Sequence, residues 1–176
     1  MRWSDFQERQ PRLAKIATDR LLGPGVVLVA TIRKDGTPRI SAVEPFVLDG
    51  ELWLCMLLDS RKAADVKRDP RLLVHSIITG REEPGGEVKV RGTARLVDDE
   101  AVHRRFAAEV SKALPWSPEP GRFHLFALEL EQITYIRYDD SGDQHLVLWP
   151  QGVEQVRRIT SATSLGDPAP EHQILG

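Results

Sequence analysis

Two Asp-Gly pairs, at positions 35–36 and 49–50, separate three consecutive runs of apolar and β-branched residues. The three runs cover residues 26–33, 38–47 and 51–58. Asp-Gly between such runs is a strong signal for a β-hairpin, because the turns that match the twist of the flanking strands need backbone angles that Asp and Gly tolerate. Parallel neighbours need long crossover connections, so tight turns force antiparallel pairing. The sequence therefore predicts an antiparallel meander in the first third of the chain.

The rest of the chain alternates between helical and strand patterns. Ser4 can cap a helix over residues 5–22, which Gly23-Pro24-Gly25 ends. A short helix over residues 61–68 is expected to turn Ala63, Ala64 and Val66 inward. Residues 80–86 are polar and rich in Gly and Pro, which predicts an exposed loop. The remaining predicted elements are a helix at residues 100–112, capped by Asp98 or Asp99, and strands at residues 72–79, 87–96, 123–130, 133–138 and 145–149.

This order of elements favours a mainly β fold, with six to eight antiparallel strands and peripheral helices. A closed or split barrel is expected rather than an open sheet, because closure removes exposed strand edges. A doubly wound fold is disfavoured, since it needs helices between nearly all strands and the first three strands have none. One domain over residues 1–160 suffices for a chain of 176 residues. Residues 161–176 are small, polar and Pro-containing, which predicts a flexible tail.

The net charge limits the binding partners that are expected for the protein, and the cysteine content indicates its compartment. The chain has 24 basic and 26 acidic residues, so no global field draws it to nucleic acid or to an anionic membrane. No apolar run approaches the roughly 20 residues that cross a bilayer, and no secretion signal is recognisable. The single cysteine, Cys55, lies inside an apolar strand and fits a reducing compartment. We expect a cytoplasmic protein, and the spacing of the five histidines predicts no metal site.

The third apolar run ends in Ser60-Arg61-Lys62, a combination suited to binding a phosphate. A hydroxyl, a guanidinium fork and an ammonium supply three different donors to one small anion. The predicted helix that begins near Arg61 adds free N–H groups and the positive end of its dipole. Arg39 on the neighbouring strand is within reach, since paired strands lie about 4.8 Å apart. The alternative is that Arg61 and Lys62 only solvate the first helical turn.

Five segments, taken in order and spacing, resemble the pyridoxamine 5'-phosphate oxidase superfamily over roughly residues 26–138. They are Ala-Thr-Ile-Arg-Lys-Asp-Gly-Thr-Pro-Arg-Ile-Ser at 30–41, Asp-Gly-Glu-Leu-Trp-Leu at 49–54, Ser-Arg-Lys at 60–62, Asp-Pro-Arg at 69–71 and Val-Lys-Val-Arg-Gly-Thr-Ala at 88–94. The resemblance implies a split β-barrel homodimer that binds FMN, or a deazaflavin analogue, in two clefts at the dimer interface.

The resemblance also implies roles for individual residues. Those expected around the phosphate and ribityl chain are Arg39, Ile40 through its backbone, Ser41, Ser60, Arg61 and Lys62. Cys55 and Met56 are expected along the isoalloxazine ring, mainly through backbone groups. Glu87 falls where several members place a Gln from the partner subunit. The alternatives are core packing for Met56, and for Arg39 an exposed cation that only balances Glu44 or Asp35.

Two departures from the family pattern separate flavin binding from vitamin synthesis. Glu44 stands where the oxidases usually have a Lys, and a carboxylate there does not stabilise a reduced, anionic flavin. No segment after Tyr138 reproduces the family's C-terminal substrate motif, and Trp149, Arg157 and Arg158 are candidates only by location. Authentic pyridoxamine phosphate oxidase activity is therefore not expected.

Three functions stay open on this sequence. The first is an FMN-dependent oxidoreductase that acts on an unidentified small molecule, with no catalytic side chain assigned. The second is a deazaflavin-dependent reductase. The third is a non-catalytic flavin-binding or haem-binding protein, with His75 as the iron ligand. A core or interface role for His75 is the alternative, because this residue lies within an apolar strand.

Overall fold

The computed structural model describes residues 1–80, 85–116 and 118–172, which fold around one large antiparallel sheet. The helices in these ranges are α1 Trp3–Arg9, α2 Pro11–Leu22, α3 Arg61–Arg68 and α4 Glu100–Ala113. The strands in these ranges are β1 Val27–Ile32, β2 Pro38–Val43, β3 Pro45–Leu48, β4 Glu51–Leu57, β5 Arg71–Ser76, β6 Glu87–Val97, β7 Phe123–Tyr138, β8 Gln144–Trp149, β9 Val153–Arg157, β10 Ile159–Ser161, β11 Ser164–Leu165 and β12 Ala169–Pro170.

Both Asp-Gly pairs lie in hairpin turns, which confirms the antiparallel start of the chain. β1 pairs with β2, and β3 pairs with β4. Asp49 has a φ of +54° and Gly50 of +76°, angles in the left-handed region that these two residue types tolerate. The predicted second strand is divided at Glu44, because the ring of Pro45 restricts the residue before it. One half of this strand therefore pairs with β1 and the other half with β4.

The long strand β7 organises the sheet. One of its edges pairs with β6, while the other pairs first with β4 and then with β8. The sequence predicted two strands in this region, but β7 runs on through a bulge opposite the step from Arg91 to Gly92. The main path of the sheet is β12-β9-β8-β7-β6-β5-β1-β2, and β4 and β3 branch from β7. No ladder joins β2 to β4 in the described ranges, so the sheet is not closed, as expected of a split barrel.

Helices α1 and α2 cover the inner face of the sheet. Trp3, Phe6, Leu13 and Leu21 are fully buried there, in a core that also contains Met56. Burying a large apolar side chain stabilises a fold by about 1.5 to 3 kcal/mol. A second, smaller core lies under α4, where the side chains of Trp53, Phe106, Val110, Phe123, Leu125 and Ala127 meet. Within the described residues, no helix lies over the outer face of β1, β2 and β5, where Ile40 is 67% exposed, and this face borders the candidate site.

The N-terminal segment differs from the single helix predicted over residues 5–22. It forms two helices, α1 and α2, that meet at Gln10. Pro11 disfavours helical angles at the preceding residue, and Gln10 accordingly has φ −137° and ψ 60°. Ser4 lies inside α1 rather than at its N-cap, and its N–H donates to the carbonyl of Gly50 at 3.0 Å.

The C-terminal segment, for which the sequence predicts a flexible tail from residue 161, contains short strands up to residue 170. β10 and β11 form a small antiparallel pair, and β12 adds to the edge of β9. The carboxylate of Glu171 lies 2.6 Å from Nδ1 of the buried His145 and 3.5 Å from Arg158. Residues 173–176, and residues 81–84 of the predicted loop, lie outside the described ranges. Within those ranges, no helix has the length and apolarity to span a membrane.

Candidate functional site

Ser60, Arg61 and Lys62, here called the cationic corner, connect the end of β4 to the start of α3. Ser60 is the N-cap of α3, and its hydroxyl oxygen accepts a hydrogen bond from the N–H of Ala63 at 3.3 Å. This cap accounts for one of the N–H groups that the first turn of a helix leaves unsatisfied. The proton of the Ser60 hydroxyl and the N–H groups at the start of α3 are the donors that this corner can offer to a ligand.

Two depressions meet at the cationic corner. The larger, here called the cleft, has a volume of about 690 Å³ and includes Lys62 in its wall. The smaller, here called the basic groove, has a volume of about 540 Å³ and includes Arg61. Adjacent residues of one helical turn thus line two different depressions. The other residues that line the basic groove are Arg33, Lys34, Asp35, Arg39, Ala64 and Asp65.

One wall of the cleft comes from the bend between β2 and β3 and from the end of β4. The residues in this wall are Val26, Ala42, Val43, Glu44, Cys55, Met56 and Leu57. Lys62 extends towards the bend, with its Nζ 3.4 Å from the carbonyl oxygen of Ala42. Met56 is only 1% exposed and its side chain packs in the core, so its backbone is the part available to a ligand. The side chain of Met56 therefore packs in the core, and contact of its backbone with a flavin stays a prediction.

Cys55 and Glu44 both line this wall, and the charge of Glu44 affects the pKa of Cys55. Burial and, to a lesser extent, the negative charge of Glu44 together raise the pKa of the Cys55 thiol to about 12. A thiol with such a pKa is neutral at physiological pH, so Cys55 is a packing group rather than a nucleophile.

The rest of the cleft lining comes from the connection between α4 and β7, to which no site residue was assigned from the sequence. Its lining residues are Trp116, Pro118, Glu119, Arg122 and Phe123. The available signal was a tryptophan in a Pro-rich segment outside any predicted strand or helix. Trp116, which is 42% exposed, contributes an aromatic side chain to the lining of the cleft, and Arg122 contributes a cation.

Arg39 lies on the inward side of β2 with Ser41, whereas Ile40 projects from the opposite side and is 67% exposed. The Nε–H of Arg39 donates to Oδ2 of Asp65 at 2.6 Å. Its partner is thus Asp65 rather than Glu44 or Asp35. The predicted inward face of α3 was wrong at one position. Ala64 is exposed, and Asp65 is buried in its place together with Ala63 and Val66.

Glu87 is not brought to the cleft within one chain. It lies at the start of β6, with a carboxylate oxygen 2.5 Å from Nζ of Lys89 and the other 3.2 Å from Nε2 of His75. The Nδ1 of His75 lies 2.6 Å from the carbonyl oxygen of Ser76. Both ring nitrogens of His75 are therefore engaged in this chain, which disfavours its proposed role as a haem ligand.

The three C-terminal candidates for a substrate motif have other partners. Trp149 packs in the core against Phe6, with ring centroids 5.3 Å apart. Arg157 donates through Nε to the carbonyl of Gly166 at 2.9 Å, and Arg158 pairs with Asp143 at 2.7 Å. These three side chains are not among those that line the cleft or the basic groove.

The comparison with known families decides the classification. Residues 14–137 match the family model of pyridoxamine 5'-phosphate oxidase. The chain belongs to this family. The match covers well over half of the chain and includes the cationic corner, Arg39 and both hairpins. No curated protein matches the sequence significantly.

Solved structures with the same fold carry several different functional descriptions. A Clostridium acetobutylicum protein of the pyridoxine phosphate oxidase family, related to general stress protein 26, superposes with a TM-score of 0.57 and 15% identity, over 83% of this chain and 94% of that one. An F420 reductase superposes with a TM-score of 0.51 and 22% identity, over 66% and 94%. The haem storage protein HutZ from Vibrio cholerae gives a TM-score of 0.51 and 18% identity, over 76% and 94%. At these identities the likeness concerns the fold alone.

Proposed function

We propose that this protein binds FMN and acts as an FMN-dependent oxidoreductase on a small molecule. The observation that carries the proposal is the junction of a cleft with the cationic corner. The cleft, at about 690 Å³, lies within the range of about 300 to 1,000 Å³ typical of cofactor and ligand pockets. A planar ring in the cleft and a phosphate at the corner fit the two chemical ends of FMN.

The phosphate end is proposed to contact Arg39, Ser60, Arg61 and Lys62. A dianionic phosphate gains about 1.5 to 3 kcal/mol from each charge-assisted hydrogen bond, and less where the pair is exposed. Two or three such contacts, together with ring burial, suffice for micromolar affinity. Ser41 lies on the same side of β2 as Arg39 and directly precedes Ala42 of the cleft wall, so it is proposed to contact the ribityl chain.

The ring end is proposed to lie along Glu44, Cys55 and Met56, opposite Trp116. When bound, the flavin supplies the electron and hydride chemistry, and the chain supplies position and electrostatics. The neutral thiol of Cys55 and the carboxylate of Glu44 offer no positive charge to a reduced, anionic ring. This wall therefore differs from one that carries a Lys at the same position, in agreement with an activity other than pyridoxamine phosphate oxidation.

The proposal includes a homodimer, because the cleft and an apolar surface adjoin. Ile40 and Leu57 are 67% and 74% exposed on the strands that border the cleft. The outer face of β1, β2 and β5 adds a depression of about 360 Å³ whose lining is mainly apolar, with Ala30, Ile32, Pro38, Leu72 and Leu73. A second copy on this face would cover these side chains and bring its own groups, with Glu87 as a candidate, towards the neighbouring cleft.

The proposed site is tested by removing the two cations of the corner. The double variant Arg61→Ala and Lys62→Ala is expected to weaken FMN binding by about two orders of magnitude, since two charge-assisted contacts are lost. The measurement is quenching of flavin fluorescence on titration with protein. The matched control removes two cations from the exposed face of α4, Arg104→Ala and Lys112→Ala, and is expected to bind FMN like the wild type. Equal affinity of both double variants for FMN contradicts the proposal.

The basic groove favours a deazaflavin-dependent reductase as the second candidate. It continues from the phosphate corner and includes Arg33, Lys34 and Arg61, which suits an acidic extension beyond the phosphate. The superposition on an F420 reductase agrees with this alternative. Under this reading, Lys34→Ala weakens binding of a deazaflavin with an acidic tail several-fold and leaves FMN binding unchanged. Wild-type affinity for FMN, with none for the deazaflavin, decides for the first candidate.

A further inference from the structure

We propose that Asp65 is a positioning residue, which orients the guanidinium of Arg39 towards the phosphate of the bound cofactor. The inference rests on the proposed function, and it concerns a residue that no sequence motif pointed to. Asp65 lies on the inward side of α3, and only 6% of its side chain is exposed. The helix that begins at the cationic corner thus carries a buried carboxylate one turn further on.

Three donors from three elements converge on this carboxylate. Arg39 of β2 donates from Nε to Oδ2 at 2.6 Å, and Thr31 of β1 donates from its hydroxyl to the same oxygen at 3.2 Å. Arg68 of α3 donates from Nη2 to Oδ1 at 3.3 Å, and its Nη2 also donates to the carbonyl of Ile32. Asp65 therefore joins α3 to β1 and β2 at the level of the basic groove.

The contact through Nε determines what the rest of Arg39 can do. The guanidinium is planar and rigid, so a short hydrogen bond at Nε fixes the plane of the whole group. The Nε–H is used by Asp65, which leaves the two terminal nitrogens as the donors for an oxyanion. Arg39 and Arg61 both line the basic groove. A phosphate at the corner can thus meet an arginine fork that is already oriented before binding.

The electrostatics of Asp65 make this role testable. A buried carboxylate is costly unless it is paired, and burial by itself raises the pKa of Asp65. The hydrogen bonds from Arg39, Arg68 and Thr31 outweigh that effect, so the pKa of Asp65 lies below its ordinary value and the group is charged. A negative charge close to a phosphate site disfavours the phosphate. Removal of the charge and loss of the orientation therefore act on FMN affinity in opposite directions.

The variant Asp65→Asn separates the two effects. It keeps the shape and one accepting oxygen but removes the charge that holds Arg39. If Asp65 acts only as a charge, FMN binds more tightly in the variant. If Asp65 orients Arg39, FMN binds about tenfold more weakly, because one charge-assisted contact to the phosphate is misaligned. Riboflavin, which has no phosphate, is expected to bind with unchanged affinity, so the ratio of the riboflavin and FMN dissociation constants falls about tenfold.

The matched control is Asp69→Asn. Asp69 is the C-cap residue of the same helix, and its carboxylate pairs with Arg71 at 2.6 Å, outside the cleft and the basic groove. This variant makes the same chemical change and is expected to keep the wild-type ratio. A double-mutant cycle adds a second check, because Asp65→Asn is expected to lower the ratio no further when Arg39 is already Ala, where only the loss of the negative charge remains.

Titration of wild-type, Asp65→Asn, Asp69→Asn and the Arg39→Ala single and double variants with FMN and riboflavin completes the test. Arg39→Lys is included because it keeps the charge and the pairing with Asp65 but removes the fork; it is expected to lower the ratio even if Asp65→Asn does not fold. An unchanged or increased ratio in Asp65→Asn, or a wild-type ratio in Arg39→Lys, overturns the inference. Wild-type protein that binds neither flavin overturns the proposed function instead.

Discussion

At the scale of single residues, the chemistry of the cleft depends on which groups are charged. Glu44, Glu119, Lys62 and Arg122 line the cleft alongside the neutral thiol of Cys55. The two acidic and two basic side chains give the cleft lining no net charge, whereas the lining of the basic groove is net positive. We infer that the phosphate corner supplies affinity, whereas the cleft selects by shape and by its aromatic face.

The raised pKa of Cys55 predicts a thiol that resists alkylation at neutral pH. With a pKa of about 12 in place of 9.0, the reactive thiolate is about a thousandfold scarcer at pH 8 than in an ordinary cysteine. The rate of reaction with iodoacetamide, followed by mass spectrometry on flavin-free protein, is expected to rise tenfold per pH unit up to at least pH 10. The urea-unfolded chain serves as the control and should react with a rate that levels off above about pH 9. A folded-state rate that levels off at the same pH contradicts the raised pKa.

At the scale of elements, the sequence predicted those helices and strands whose ends are determined by neighbouring residues. The two hairpins, α3, β6 and α4 follow from turn residues, caps and periodicity. Pro11 and Pro45 were visible in the sequence, yet the predicted helix and strand ran through them, because apolar periodicity continued on both sides. The pairing of Asp65 with Arg39 joins residues 26 positions apart. No local pattern contains such a contact, so the cationic corner could be predicted and its buried support could not.

The N-cap of α4 gives a prediction for protein stability, in which the neighbouring Asp98 serves as the control. The carboxylate of Asp99 accepts hydrogen bonds from the N–H groups of Ala101 and Val102 at 2.8 and 3.0 Å. Loss of such a cap costs about 1 kcal/mol. Asp99→Ala is therefore expected to lower the free energy of unfolding in urea by about that amount. The sequence left Asp98 and Asp99 as alternatives for the cap, and Asp98→Ala, which removes the same charge without a cap bond, should change it by less than half as much.

Helix α4 also packs against a residue that lines the cleft, so the same variant gives a prediction for FMN affinity. Phe106 and Val110 of this helix pack on Trp53 and Phe123, and Phe123 also lines the cleft. Fraying of the first turn leaves those contacts in place, since they lie further along the helix. Asp99→Ala is thus expected to retain FMN affinity while it loses stability, and a parallel loss of both would indicate that the connection at Trp116 depends on the start of α4.

At the scale of the whole molecule, the apolar outer face of the open sheet is a candidate surface for a second copy of the chain. Helices α1 and α2 cover one side of the sheet, and the outer side of β1, β2 and β5 carries Ile40 and partly exposed Leu28, Ala30 and Leu73. Stable protein interfaces bury about 1,600 Å² in total. Two copies of this face would bury its apolar side chains, and we propose that the second copy also brings Glu87 to the cleft. Dimerisation and completion of the cofactor site are therefore proposed as one event.

The substitution Ile40→Glu tests this coupling, because a charge buried twice across a symmetric contact is costly. Light scattering at micromolar concentration is expected to give twice 19.8 kDa for the wild type and 19.8 kDa for the variant. FMN affinity should fall together with the mass, although the substituted side chain lies on the side of β2 opposite Arg39 and Ser41. The control Ile159→Glu changes another exposed isoleucine, on β10, and should remain a dimer. A wild-type monomer that retains FMN, or a monomeric Ile40→Glu with unaltered affinity, means that one chain forms the cofactor site by itself.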